Sequence, residues 1–145
     1  MIFVDADACP VKDEIIRVAE RHNTTVIMVA DGGLRPSRHD LVRNQIVPQG
    51  ADAADDWIAE NITATDICVT GDIPLAKRCL EKGATAIRPN GKLFDETNIG
   101  MALAMRELKQ HIRESQQTQT YNASFTKGDR SAFLESLHRL LVSSA

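Results

Sequence analysis

Five aspartates, Asp5, Asp7, Asp55, Asp56 and Asp72, are the residues of this 145-residue chain whose type and spacing most plainly suit chemistry. Asp5 and Asp7 alternate with alanine directly after an apolar run, Asp55 and Asp56 stand side by side after Asp52, and Asp72 follows Thr70-Gly71. Carboxylates gathered at one place repel, by about 4 kcal/mol for unit charges at about 4 Å and an effective dielectric near 20. A hard dication with oxygen ligands removes that repulsion, and Mg²⁺ or Mn²⁺ suits a site that keeps waters for a substrate. Such a cation lowers the pKa of a bound water, polarises a phosphoryl oxygen and, as a pair, steadies entering and leaving oxygens. The expected cation ligands are Asp5, Asp7, Asp55, Asp56 and Asp72. The expected catalytic set is Asp5, Asp7, Asp56 and Asp72 with Thr70, whose hydroxyl can orient a water or a carboxylate.

Each acid also has a plainer reading. Acidic residues in the first turn of a helix are favoured by its dipole by roughly 0.3 to 1 kcal/mol, which suffices for Asp52 and Asp55. Asp5 at a strand end before a helix could be a turn or cap residue. The weight comes from recurrence: an acid after strand one, a cluster opening a helix, and an acid after strand four all fall on one edge of an α/β sheet.

The elements that produce this edge follow from periodicity. Ile2-Phe3-Val4 reads as a buried strand, and Pro10 suits the first turn of a helix through Val11, Ile15, Ile16, Val18 and Ala19. The β-branched run Thr24 to Val29 predicts strand two, ended by Asp31-Gly32-Gly33, and a polar loop from Leu34 to Asp40 follows. Leu41 to Pro48 predicts strand three, although Arg43, Asn44 and Gln45 interrupt its apolar pattern. From Asp52 to Ile62 the apolar residues Ala54, Trp57, Ile58 and Ile62 define a helical face, with Asp52, Asp55 and Asp56 expected opposite. Asp66 to Thr70 predicts strand four, Pro74 opens a helix that Gly83 stops, and Thr85 to Arg88 predicts strand five before the Pro89-Asn90-Gly91 turn. A long helix from about Asp95 to Ser115, a polar stretch from Gln116 to Asn122 and a last helix over 129–142 complete the chain. Strands alternating with helices predict a three-layer α/β/α fold around a central, mostly parallel five-stranded sheet. One domain over 1–145, with the last helix packing on it, matches the length.

The other candidate groups are fewer. Arg35, Arg38 and Arg130 are the expected phosphate contacts, with Lys77, Arg78 and Lys127 also near the acidic edge. The net charge of -3 leaves no broad basic surface for long nucleic acid. Cys9, Cys68 and Cys79 lack a CxxC spacing and are expected reduced and structural. His22, His39, His111 and His138 show no paired ligand spacing along the sequence. No P-loop is present, since Lys82-Gly83 closes a helix. With no signal-like start and no membrane-length apolar run, the expected address is the cytoplasm, with no membrane partner.

Two stretches resemble the 5′-nuclease domains of bacterial DNA polymerases and related flap endonucleases: Ala54-Asp55-Asp56-Trp57-Ile58 and Thr70-Gly71-Asp72-Ile73-Pro74-Leu75. More closely, the chain resembles the bacterial YaiI/YqxD family, a PIN-like group, through Asp5-Ala6-Asp7-Ala8-Cys9-Pro10, the block Gly50 to Ile58, Thr70 to Ala76 and Asp129-Arg130. The resemblance implies a PIN-like domain whose acids hold catalytic metals for phosphodiester hydrolysis. Ile73-Pro74 stands where the polymerase domains have a further acid, and no helical arch is present, so small structured RNA or single-stranded ends are the expected substrates. A homodimer is compatible with this reading. Two rivals stay open: a haloacid-dehalogenase-like phosphatase with Asp5 as nucleophile and Asp7 as acid, and a non-catalytic RNA- or protein-binding PIN-like module.

Overall fold

In the computed structural model, residues 1–6, 9–31, 39–48, 52–101, 103–105 and 125–143 are described. The strands are β1 (Ile2–Asp5), β2 (Val26–Ala30), β3 (Val42–Ile46), β4 (Ile67–Val69) and β5 (Thr85–Ile87). The helices are α1 (Lys12–His22), α2 (Ala53–Asn61), α3 (Ile73–Glu81), α4 (helical at 96–101 and 103–105) and α5 (Lys127–Ser143). The strands form one sheet in the order β3-β2-β1-β4-β5, and every pairing is parallel. The expected "mostly parallel" sheet is therefore wholly parallel among the described residues.

Alternation along each strand sorts side chains into two cores. Ile2, Val4, Val26, Met28, Ile67 and Val69 face α1 and α5, where Ile15, Val18, Phe133 and Leu137 are buried against them. Phe3, Ile27, Val29 and Cys68 face the other way, toward Ile58, Ile62, Leu75 and Cys79 of α2 and α3. This is the three-layer α/β/α arrangement. The polar run Arg43-Asn44-Gln45 is explained by position: β3 is an edge strand in which only Val42 is buried.

Helix ends obey local chemistry. α1 has Asp13 and Glu14 in its first turn, Arg21 and His22 in its last, and Asn23 as a left-handed cap at φ 50°. α5 begins two residues before the expected Asp129, because Thr126 and Asp129 bond reciprocally, Thr126 N to Asp129 Oδ2 at 3.0 Å and Asp129 N to Thr126 Oγ1 at 3.1 Å. Gly91 turns the chain after β5 with φ +90°, and a Cβ there would lie 2.6 Å from the Ala132 carbonyl oxygen. The turn and α5 thus meet backbone to backbone. The expected long helix beginning near Asp95 is helical at 96–101 and 103–105, and its remainder, the 116–122 stretch, and Arg35 and Arg38 lie outside the described residues.

Candidate functional site

The strand order reverses between β1 and β4, and a crevice opens at their carboxyl ends, the place where α/β sheets accept ligands. A cavity of about 270 Å³ lies there, lined by Asp5, Cys9, Val69, Thr70, Gly71, Asp72 and Pro89. Register explains the composition. Phe3 pairs with Cys68 and Val4 with Val69, so the next step along both strands brings Asp5 beside Thr70.

Thr70 joins the two acids. Its side chain is buried, and its hydroxyl donates to Asp5 Oδ2 at 3.1 Å while accepting the Asp72 backbone N–H at 3.0 Å. Asp72 in turn is the N-cap of α3, its Oδ1 accepting the Leu75 N–H at 2.9 Å, with Pro74 in the first turn. The Thr70 hydroxyl thus bonds the Asp5 carboxylate and the Asp72 backbone together. The cap bond also fixes the Asp72 carboxylate on the cavity wall.

The adjacent acids of α2 part company. Asp56 is exposed and its Oδ1 accepts from the Arg78 guanidinium of α3 at 2.7 Å. Asp55 is half-buried, and its carboxyl is pushed up to about 6, first by desolvation and then by the charges of Asp72, Asp5 and Asp52. Asp55 thus lies within the field of the cavity acids. Helical spacing accounts for the difference: the buried Ile58 and Ala59 lie three and four positions beyond Asp55, so Asp55 extends the core-facing stripe, whereas Asp56 shares a side with exposed Glu60. The expectation that Asp55 stands opposite the apolar face is corrected on this point.

Asp7 lies outside the described residues, as do Arg35 and Arg38. Arg130 is inside α5, where its guanidinium donates to the Pro10 carbonyl at 2.7 Å and to Glu14 Oε1 at 3.2 Å and lies over the Phe125 ring. It braces the chain that delivers Cys9. Cys9, Gly71 and Pro89 are cavity residues that the sequence reading did not assign to the site. Burial pushes the Cys9 thiol up to about 11, with Asp5 and Glu14 adding to the rise, so it lines the cavity as a neutral group. Pro89 had a usable signal, since it follows β5 at the same carboxyl edge.

Among the described residues, no three or more Asp, Glu, His or Cys side chains are placed together so as to hold a metal ion. The donors that are present, Asp5, Asp55, Asp72 and the Thr70 hydroxyl, are all oxygen. Their chemistry fits a hard cation that retains waters, and Asp55 is pushed up first by burial and then by the negative charges of Asp72, Asp5 and Asp52.

Among the described residues no helix is long and apolar enough to cross a membrane. Residues 3–143 match the family described as "Uncharacterized BCR, YaiI/YqxD family". The chain is 61% identical over 140 residues to the UPF0178 protein R01393 of Rhizobium meliloti, covering 97% of this chain and 96% of that protein. It is 59% identical over 138 residues to the UPF0178 protein Atu1478 of Agrobacterium fabrum, covering 95% and 90% respectively. It is 50% identical over 141 residues to the UPF0178 protein GOX1710 of Gluconobacter oxydans, covering 97% and 81%. No solved structure matches the chain. A match over almost the whole length, shared with such close relatives, makes this chain a member of the YaiI/YqxD family.

Proposed function

We propose that the chain is a divalent-cation-dependent nuclease of PIN-like type that hydrolyses phosphodiesters in RNA or single-stranded nucleic acid. One observation supports it above the others: Asp5 and Asp72, joined through the Thr70 hydroxyl, line a cavity at the switch point of the sheet, and Asp55 of a separate helix feels their charges. Asp5 and Asp72, with Asp7 two positions further along the sequence, would take up Mg²⁺ or Mn²⁺, and Asp55 would add its charge through a water that the cation retains. Bound there, the cation supplies charge neutralisation at a phosphoryl group and an acidified water.

The chain's own residues do the rest. Thr70 holds Asp5 in place through its hydroxyl, and the α3 N-terminus holds Asp72. Neither carboxylate then needs to be ordered when substrate arrives, which keeps the geometry ready for reaction. Asp56 holds the exposed Arg78 guanidinium of α3, a group suited to meeting a phosphate, and Arg35 and Arg38 are the further proposed phosphate contacts. The small cavity suits one phosphodiester with its neighbours in solvent, hence short or structured RNA or free ends. The three free cysteines fit work in the cytoplasm.

The test is a titration of purified protein with Mn²⁺ and Mg²⁺, with cleavage of labelled single-stranded and structured RNA and DNA followed in parallel. Cation-dependent cleavage by wild type that vanishes in Asp72→Asn is the expected result. Asparagine caps helices about as well as aspartate, so the loss would report charge and not folding. Binding of RNA without cleavage would point instead to a non-catalytic module. A covalent phosphate on Asp5 would identify the phosphatase reading.

A further inference from the structure

α1 and α5 pack side by side and in parallel, joined at two places. At their N-terminal ends Arg130 bonds Glu14 and the Pro10 carbonyl, and at the other end His22 Nε2 lies 2.8 Å from His138 Nδ1. Both contacts are separated by eight positions on each helix, about 12 Å along the axes, so the helices stay in register between them. The histidine pair is on the surface, on the face of the sheet opposite α2 and α3.

In the metal-free pair one ring donates its N–H to the other's lone pair, the ring centroids being 4.9 Å apart. Two imidazole nitrogens each about 2.0–2.1 Å from a shared cation stand about 2.9 Å apart at a right-angled bite and about 3.3 Å at a tetrahedral one. The observed 2.8 Å is close to the first figure, and since the hydrogen bond aims the two nitrogens at each other, a cation would enter as each exposed ring turns by roughly 45° about its side-chain bonds, with the helices left in place. A second feature favours positive charge at this place: His22 lies in the last turn of α1, where the helix dipole is negative.

We propose that His22 and His138 form a transition-metal clip that takes a borderline dication such as Ni²⁺, Cu²⁺ or Zn²⁺ and fastens α5 to α1. Imidazole nitrogens select these ions over Mg²⁺ and Mn²⁺, which prefer the oxygen donors of the acidic cavity. The site is open, with two protein ligands and the other positions left to water. Its effect runs along the seam: fastening one end holds the register at the other, where Arg130 supports Pro10 next to Cys9 in the cavity wall. The clip is independent of the nuclease reading.

The experiment uses the full chain stripped of metal, titrated calorimetrically with Ni²⁺ and separately with Mg²⁺, for wild type, His22→Gln, His138→Gln and Asp55→Asn. Wild type is expected to bind one equivalent of Ni²⁺ and to melt at a higher temperature with it. Losing an outer-shell partner already costs 10–100-fold in metal affinity, so loss of either histidine ligand should weaken Ni²⁺ binding at least about tenfold and abolish the melting shift. Asp55→Asn should leave Ni²⁺ binding intact, and excess Mg²⁺ should not displace it. Cu²⁺ spectra should show two nitrogen ligands in wild type and one in His138→Gln, an exposed substitution that leaves the core untouched. No Ni²⁺ binding by wild type, equal affinity in wild type and both histidine variants, or loss of binding in Asp55→Asn would each overturn the proposal.

Discussion

Asp55 should cost the cation-free protein stability, and removing its charge should return it. Its carboxyl is lifted from 3.8 to about 6 by desolvation and by Asp72, Asp5 and Asp52. A lift of that size corresponds to about 3 kcal/mol if fully transmitted. The group is only partly buried, so solvent screening reduces the figure to about 1 kcal/mol. The sign follows from linkage: between about pH 4 and 6 the folded chain binds the proton more tightly than the unfolded chain, so this group makes stability fall as pH rises through that window. Asp55→Asn removes the charge at nearly constant shape. In EDTA at about pH 7.5 the variant should melt about 2–4 °C above wild type, and near pH 4 the two curves should converge. With Mn²⁺ the order should invert, because wild type gains a ligand-linked rise that the variant lacks, and that rise should shrink below about pH 6 as protons compete for Asp55. Asp56→Asn should behave oppositely in EDTA, losing 0 to about 1 kcal/mol with its exposed Arg78 pair. Thermal melts of the three proteins across pH decide the matter. An Asp55→Asn variant no more stable than wild type at pH 7.5, or equally stabilised at pH 4, would refute the crowding of carboxylates.

Other perturbations separate positioning from charge. Asp72→Ala should lose about 1 kcal/mol of stability with the Leu75 cap while Asp72→Asn keeps it, and both should lose cation binding in calorimetry. Thr70→Val removes the acceptor of the Asp72 N–H and one of the bonds that hold Asp5, costing about 1–3 kcal/mol in denaturant melts and about 10–100-fold in Mn²⁺ affinity. Gly91→Ala combines a left-handed φ with a 2.6 Å approach to the Ala132 carbonyl oxygen, so it should lose at least about 2 kcal/mol and loosen α5 in hydrogen exchange, without changing the acidic cavity's cation affinity.

The sheet and its edge were legible because they depend on short-range signals. β-branched runs, Pro74, and the acids after β1 and β4 each specify a local conformation, and right-handed crossovers then leave little choice of layers. The β3 strand was harder, since an edge strand with one buried residue has the composition of a loop. The division of labour between Asp55 and Asp56 was readable in principle from the spacing to Ile58 and Ala59. It was missed because Ala54 and Trp57, only partly buried, drew the apolar face to the wrong side of the helix. Arg130 could not be placed from sequence at all, because its partners Pro10 and Glu14 are more than a hundred residues away. The histidine pair had the same obstacle: His22 and His138 are 116 positions apart, and only the packing of α5 on α1 brings them together.

The cavity combines two kinds of acid, and the contrast argues for function. Asp5 and Asp72 each have a carboxylate oxygen fixed by a short local bond, from the Thr70 hydroxyl and from the Leu75 N–H. Such bonds would be sufficient reason for either residue to exist in a purely structural role. Asp55 is held in the field of those charges at a cost, with Arg78 lowering its carboxyl least of the influences on it. A helix needing only a dipole partner could have placed that charge at the exposed position of Asp56, where no such cost arises. Instead the stripe that buries Ile58 and Ala59 turns Asp55 toward the switch point. An acid kept where it destabilises the empty fold is accounted for if a cation at the cavity restores the balance, and that condition links the stability of this chain to its proposed chemistry.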